Sequence, residues 1–304
     1  MMEILKVNQL TKNYRNTQVL KGINLTIHQG EVFGFVGHNG AGKSTFIHTL
    51  TGISVKSSGS FDILGVPDSQ IDSVKKSMGV MPDISNLYEN MRGIEFLRYM
   101  GGLVGDHRSK EDYESLMKDV GLEGAERKKI KAYSFGMKKK ISIAQALLGD
   151  TEIIILDEPT SGLDPESAIK IRQLVTGLQE QGKTILLTSH NLDEIDKISD
   201  RVGILSDGII KKVGTPRQLK EGTETGLTIF VRTKPMLHAD FVQELAEKLE
   251  IDVSFLGTKK DYSMLHIASD DDIPILSKKL IDSGTRLYEM KVEQTSLEDV
   301  FMNT

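Results

Sequence analysis

Apolar residues recur at two spacings along this chain, and the switch between them marks its parts. "EILKVNQLTKNY" (3–14) and "VLKGINLTI" (19–27) mix apolar with polar positions between polar turns, as strands with one face in a core do. "EVFGFVG" (31–37) is nearly all apolar and runs straight into a glycine-rich stretch, after which "KSTFIHTLTGI" (43–53) takes helical spacing. From about Ser85 to Leu148 the segments "IEFLRYMGGLVG", "KEDYESLMKDVG" and "MKKKISIAQALLG" read as helices with charged faces. Strands return as "EIIILDE" (152–158) and "KTILLTS" (183–189), with the helix "ESAIKIRQLVTGLQEQG" (166–182) between them. Strand, crossover helix and strand predict a parallel sheet covered on both faces.

Around "PRQLKEGTETG" (216–226) the composition turns polar and glycine-rich, which predicts a linker. Beyond it the pattern reads strand ("LTIFVRT"), helix ("ADFVQELAEKL"), strand ("IDVSFLG"), strand ("YSMLHIAS"), helix ("DIPILSKKLIDSG") and strand ("RLYEMKVEQ"). That βαββαβ order is ferredoxin-like. The expected organisation is therefore one domain over residues 1–220, with a helical subdomain at about 85–150, and a small α+β domain over 227–304.

Composition adds limits. Charged residues make up 27% and hydrophobic residues 38% of 304, as in folded globular chains. A net charge of −5 speaks against wholesale nucleic-acid binding, and the absence of cysteine excludes disulfides and thiolate metal sites. The start "MMEILKVNQL" lacks the features of a signal peptide, and no run approaches the roughly 18 apolar residues of a spanning helix. Work at a membrane would need a partner to supply the membrane part.

The candidate chemistry lies where strands end. "GHNGAGKST" (37–45) fits G-x-x-x-x-G-K-[ST], with a strand before it and a helix after. In such a loop the backbone N–H groups of Gly37, His38, Asn39, Gly40, Ala41 and Gly42 close around phosphates at a helix N-terminus. Lys43 is expected to reach the β- and γ-phosphates, Ser44 to ligate Mg²⁺, and Thr45 to follow in the loop's grip. "IIILDEPT" (153–160) delivers two carboxylates at the C-terminal end of a buried strand, the edge where open α/β sheets bind ligands. Asp157 is the expected Mg²⁺ partner, through water, and Glu158 the acceptor of a proton from the attacking water. His190, in "LLTSHNL", ends another buried strand. Alone it would read as a structural histidine; on this sheet edge it reads as a hydrogen-bonding partner of the γ-phosphate or the water.

Together these motifs resemble the nucleotide-binding subunits of ABC transporters over residues 1 to about 220. "GHNGAGKST" matches the family's Walker A, "YSFGM" (133–137) its signature, "IIILDE" its Walker B, "SGLD" (161–164, with Asp164) its D-loop, and His190 its switch histidine. The resemblance implies a P-loop NTPase core of ABC ATPase type, ATP and Mg²⁺ as ligands, and Tyr14 stacked on adenine. It also implies head-to-tail pairing with a second ATPase subunit, identical or not, in which Ser134 and the N–H of Gly136 bind the γ-phosphate held by the partner. A separate transmembrane permease is the implied working partner, at the cytoplasmic face of the membrane. Two departures stand out. The signature carries Phe135 where the family has glycine and Met137 where it has glutamine, and the family's Q-loop glutamine is matched by Asp83, a possible further Mg²⁺ contact. Tyrosine and methionine in the signature, and the ending "QTSLEDVFMNT", resemble export-type members.

Competing readings are weaker. "TKKD" (258–261) imitates a guanine-reading motif but is expected to be a surface turn, and "RKKIK" (127–131) and "KKK" (138–140) to be solvated helix faces. Translation-type relatives carry two phosphate loops, whereas this chain has one, and DNA-repair relatives carry a long coiled coil for which there is no room. A regulatory subunit with weak turnover is the alternative, motivated by Asp83 and opposed by Glu158 and His190. For the C-terminal domain, a scaffold is preferred to a small-molecule sensor.

Overall fold

A computed structural model describes residues 2–221, 226–249, 251–292 and 297–302. The chain divides into two compact units, built on Met1–Leu219 and Lys220–Val300.

In the first unit, strands β1 (Glu3–Tyr14) and β2 (Thr17–His28) form a hairpin, and β3 (Val32–Val36) leads through the glycine-rich loop into helix α1 (Lys43–Leu50). Strands β4 (Ser58–Ile63), β5 (Val66–Pro67) and β6 (Met78–Val80) follow. The helical segment contains α2 (Gly93–Val104), α3 (Lys110–Asp119) and α4 (Phe135–Ala146). The chain then returns through β7 (Ile153–Asp157), α5 (Pro165–Glu180), β8 (Thr184–Ser189), α6 (Leu192–Ile198), β9 (Arg201–Ser206) and β10 (Ile209–Gly214).

Two sheets result. One has the order β10-β9-β3-β8-β7-β6, parallel except for the edge strand β10. Its central strands are buried along their whole length, as expected of a parallel sheet with both faces covered. The other, β2-β1-β4-β5, is antiparallel, and β1 mixes buried with exposed positions, its period broken by register shifts. One core joins them: Leu5 and Val7 of β1, Phe46 and Leu50 of α1, Phe35 of β3 and Ile155 of β7 belong to the same apolar cluster. One face of the parallel sheet is thus covered by α1 and a second sheet, while α5 and α6 lie against β8 and β3. The expected parallel sheet covered on both faces is thus present; that one cover is partly a second sheet was not legible, because β4 and β5 are short and their apolar residues too few to stand out.

The chain passes from the first unit to the second within α7 (Pro216–Glu221), a helix where a linker was expected; Pro216 opens it at a position where its missing N–H costs nothing. The second unit holds β11 (Leu227–Lys234), α8 (Ala239–Leu249), β12 (Val253–Lys259), β13 (Tyr262–Ile267), α9 (Asp272–Asp282) and β14 (Arg286–Val292), and ends within α10 (Leu297–Met302). The sheet order β12-β13-β11-β14, all antiparallel, is the ferredoxin-like arrangement. Residues 222–225 of the expected linker, 293–294 of the expected last strand, and the 294–296 and 303–304 parts of the ending lie outside the described residues. No described helix is long and apolar enough to cross a membrane.

Candidate functional site

Strands β3, β8 and β7 are neighbours, with Val36 opposite Ser189 and Asp157 opposite Thr188, so their C-terminal ends fall on one edge. Three expected elements therefore meet there: the phosphate loop after β3, the carboxylates ending β7 and the histidine after β8. The loop turns through Gly40 (φ 83°) and Gly42 (φ 113°), conformations that favour glycine. His38, Asn39 and Gly40 are exposed at its crest, Ala41 and Gly42 are buried, and α1 starts at Lys43 with Ser44 exposed and Thr45 half-buried. The His38 ring donates through Nδ1 to Asn39 O (2.9 Å). Lys43 is buried; its Nζ donates to Gly37 O (2.5 Å) and His38 O (3.4 Å), and lies 3.6 Å from Glu158 Oε1. An ammonium inside a loop of backbone amides at a helix start is a cradle for an anion, and its present carbonyl contacts are ones that phosphate oxygens can replace.

The Ser44 hydroxyl donates to Asp157 Oδ2 (2.9 Å), and Thr188 Oγ1 donates to the other oxygen, Asp157 Oδ1. A serine hydroxyl beside a carboxylate at a phosphate cradle is a hard-oxygen donor set that fits Mg²⁺, which takes one or two protein ligands and completes its shell with phosphate and water. Glu158 sits one residue on, in a left-handed conformation (φ 51°) that turns its side chain away from that of Asp157 and toward Lys43 and His190. Nδ1 of His190 donates to Glu158 Oε2 at 2.7 Å. The carboxylate is thus held between a buried ammonium and an exposed imidazole.

The remaining candidates emerge on other elements. Tyr14, at the tip of the β1–β2 hairpin, is 44% exposed, with its hydroxyl 3.3 Å from Ser54 Oγ and Lys12 Nζ 4.8 Å from its ring centre, so one face of the ring is shared with a cation. Asp83 follows β6 and caps a short 3-10 turn: its Oδ1 accepts from Ser85 N (2.8 Å) and Ser85 Oγ (2.7 Å). These bonds, the backbone one first, hold its carboxyl below the usual range. Ser134 is the exposed N-cap of α4, its Oγ accepting from Met137 N (3.3 Å); its hydroxyl hydrogen remains for another acceptor. Asp164 caps α5 by accepting from Ser167 N (2.9 Å), ahead of Pro165, and that bond holds its carboxyl low. "TKKD" is exposed at the β12–β13 hairpin, Thr258 and Lys259 ending β12 and Lys260 and Asp261 making the turn.

The signature's departures have local explanations. Tyr133 is buried, its hydroxyl donates to Ala125 O (2.8 Å), and burial pushes its pKa up to about 12. Phe135 lies on Gly162 of the "SGLD" loop, where a Cβ would come within 2.8 Å of the ring.

Three residues escaped the sequence reading. Thr188, fully buried, donates to Asp157 and accepts from Glu158 N (3.0 Å); a hydroxyl directly after the apolar run Ile185–Leu187 of a buried strand is the available signal. Glu194 on α6 accepts from Thr160 Oγ1 and pairs with Arg172 (3.6 Å). Lys139 corrects the reading of "KKK" as a solvated face: it is 5% exposed, and donates to Glu158 O and to Ser161 O (2.5 Å). Helical period explains this, since 139, 142, 143 and 146 share a face and all are buried. Burial lowers the Lys139 pKa, against the pull of Glu158, Asp157 and Glu194.

The family model described as "ABC transporter" matches residues 20–161. The chain is 30% identical over 305 residues to the linearmycin resistance ATP-binding protein LnrL of Bacillus subtilis (strain 168), covering 99% of this chain and 97% of that one. It is 30% identical over 304 residues to the bacitracin transport ATP-binding protein BcrA of Bacillus licheniformis, again covering 99% and 97%. An ATP-binding cassette solved as a dimer in a post-hydrolysis state, bound to ADP and Pi, is similar with a TM-score of 0.64 and 25% identity, over 69% of this chain and 98% of that one. The chain belongs to the ATP-binding proteins of ABC transporters and is an ATPase of that family.

Proposed function

We propose that this ABC transporter ATP-binding subunit powers export: it closes head to tail with a second ATPase subunit around ATP and Mg²⁺ and drives a separate permease from the cytoplasmic face of the membrane. The observation that carries the reading is the Glu158 carboxylate held between Lys43 and His190, directly beside the Ser44–Asp157 pair. Export is supported by the similarity, over nearly the whole chain, to proteins named for linearmycin resistance and bacitracin transport.

In this reading Lys43 and the loop amides bind the β- and γ-phosphates, and Tyr14 stacks on the adenine. Mg²⁺, held by Ser44 and through water by Asp157, would supply charge neutralisation at those phosphates. Glu158 accepts the proton of the attacking water as its oxygen bonds to the γ-phosphorus and the bond to the β-phosphate oxygen breaks. His190 fixes the carboxylate through Nδ1 and presents its other ring nitrogen to the γ-phosphate. General-base assistance of this kind is worth about 10²–10⁴ in rate. The exposed Ser134 hydroxyl and the Gly136 N–H, at the positive end of α4, meet the γ-phosphate in the partner's loop. The C-terminal unit serves as a scaffold.

The test replaces Glu158 by Gln and follows assembly by size exclusion. A dimer with ATP·Mg²⁺ and a monomer with ADP are expected, and Ser134→Arg added to Glu158→Gln should abolish the dimer. A monomer with both nucleotides would overturn closure by this chain alone.

A further inference from the structure

We propose that Lys139 is a positioning residue for hydrolysis: from within α4 it holds the Glu158 turn by its carbonyls, and so ties the Ser134 end of that helix to the proton acceptor of its own chain. The inference rests on the reading of Glu158 as that acceptor.

Glu158 adopts φ 51°, a left-handed conformation that costs a non-glycine residue on the order of 1 kcal/mol and persists only where surrounding contacts over-determine it. Here they do. Its N–H donates to Thr188 Oγ1 (3.0 Å), and its carbonyl accepts from the Lys139 ammonium. The same ammonium donates to Ser161 O (2.5 Å), so both ends of the 158–161 turn are gathered on one buried cation. From β8 and α4 together, the peptide groups flanking the Glu158 Cα are fixed, which sets where the carboxylate points.

Lys139 lies five positions after Ser134, about 7–8 Å along the helix axis. Two further contacts bind the start of α4 to the same loop: Phe135 against Gly162, and Gly136, whose added Cβ would stand 3.2 Å from Leu163 Cδ2. A displacement of α4 on engaging a phosphate at Ser134 therefore moves the 158–163 loop with it. The buried ammonium is also a costly group to keep in an apolar helix face, and no mechanism step described above uses it.

The experiment measures steady-state ATPase activity of the full chain carrying Lys139→Met, alone and combined with Glu158→Gln. A kcat lower by about 10–100-fold at unchanged KM for ATP is expected, the scale of a misplaced catalytic group. In the Glu158→Gln background the same substitution should cause no further loss in residual turnover, because the group it positions is already gone. Lys139→Gln, which keeps an uncharged and shorter donor group, should fall between, and it replaces Lys139→Met if that variant does not fold. Wild-type kcat in the folded Lys139 variants, a rise in KM without a fall in kcat, or an equal loss in both backgrounds would overturn the proposal. Retained turnover in Glu158→Gln alone would remove the proton-acceptor reading and this inference with it. Loss in Glu158→Gln with full turnover in Lys139→Met would sink only the inference.

Discussion

Thr188→Val is the substitution that separates hydrogen bonding from shape at this site. Threonine and valine have nearly the same outline, and Thr188 is completely buried, so no solvent replaces the lost hydroxyl. Two bonds disappear: the one donated to Asp157 Oδ1, and the one accepted from Glu158 N at 3.0 Å. A hydrogen bond to a charged acceptor contributes about 1.5–3 kcal/mol, and a buried N–H left without a partner costs about 1–3 kcal/mol. Because Asp157 keeps its bond from Ser44 and is partly open to water, the low end applies, giving a loss of about 2–4 kcal/mol. Thr188→Ser keeps the hydroxyl and removes one methyl, worth about 0.8 kcal/mol. The chain has no tryptophan, so urea unfolding is followed by circular dichroism. At a slope of about 2–3 kcal/mol per molar urea, the valine variant should unfold roughly 1 M below the parent and the serine variant within a few tenths of it. ATPase activity should fall in the same order. Coinciding midpoints, or a milder effect of valine, would show that the hydroxyl does not hold the Walker B end in place.

Further outcomes follow from single contacts. A Cβ on Gly93 would stand 2.1 Å from the Tyr133 hydroxyl, so Gly93→Ala should cost about 1–3 kcal/mol in thermal unfolding, and Tyr133→Phe added to it should cost less than the sum of the two. Asp157→Asn should raise the Mg²⁺ concentration for half-maximal ATPase activity by about 10–100-fold, and an unchanged Mg²⁺ titration would remove Asp157 from the metal's surroundings. Asp164 has a carboxyl held low in the folded state, chiefly by the Ser167 N–H. Its contribution is complete above the ordinary value of 3.8 and fades as pH falls through the lower, folded-state value. Urea midpoints of parent and Asp164→Ala should therefore differ at pH 7 and converge below that range, whereas a gap independent of pH would refute the charged cap.

Motif and period together made most of the site legible. The phosphate loop, the two carboxylates and His190 are each attached to a short strand that is buried or nearly so along its length, and a parallel sheet can place such strand ends only on one edge. The βαββαβ order was equally plain, because α8 and α9 carry clear apolar stripes between β-branched runs. What stayed hidden depends on side chains reaching across elements. Thr188, Glu194 and Lys139 touch the Glu158 turn from β8, α6 and α4, and no spacing rule links positions 19 to 34 residues apart. Lys139 was further masked by its lysine neighbours; the helical period that buries it was present but outweighed by the look of a charged run.

The signature's divergence becomes intelligible on the same terms. A glycine at 135 would leave Gly162 uncovered; the phenylalanine fills that space from within the chain. Tyr133 reaches back to Ala125 and fills the hollow over Gly93, which anchors the start of α4 to the helical segment. Neither change touches the Ser134 hydroxyl or the Gly136 N–H, the groups that an opposing phosphate would meet. The substitutions act on how the signature is held, and leave what it presents intact. With Lys139 behind it, α4 has one end fixed to the helical segment and its inner face fixed to the Glu158 turn, so that a force applied at Ser134 would have a defined path to the carboxylate proposed above as the proton acceptor.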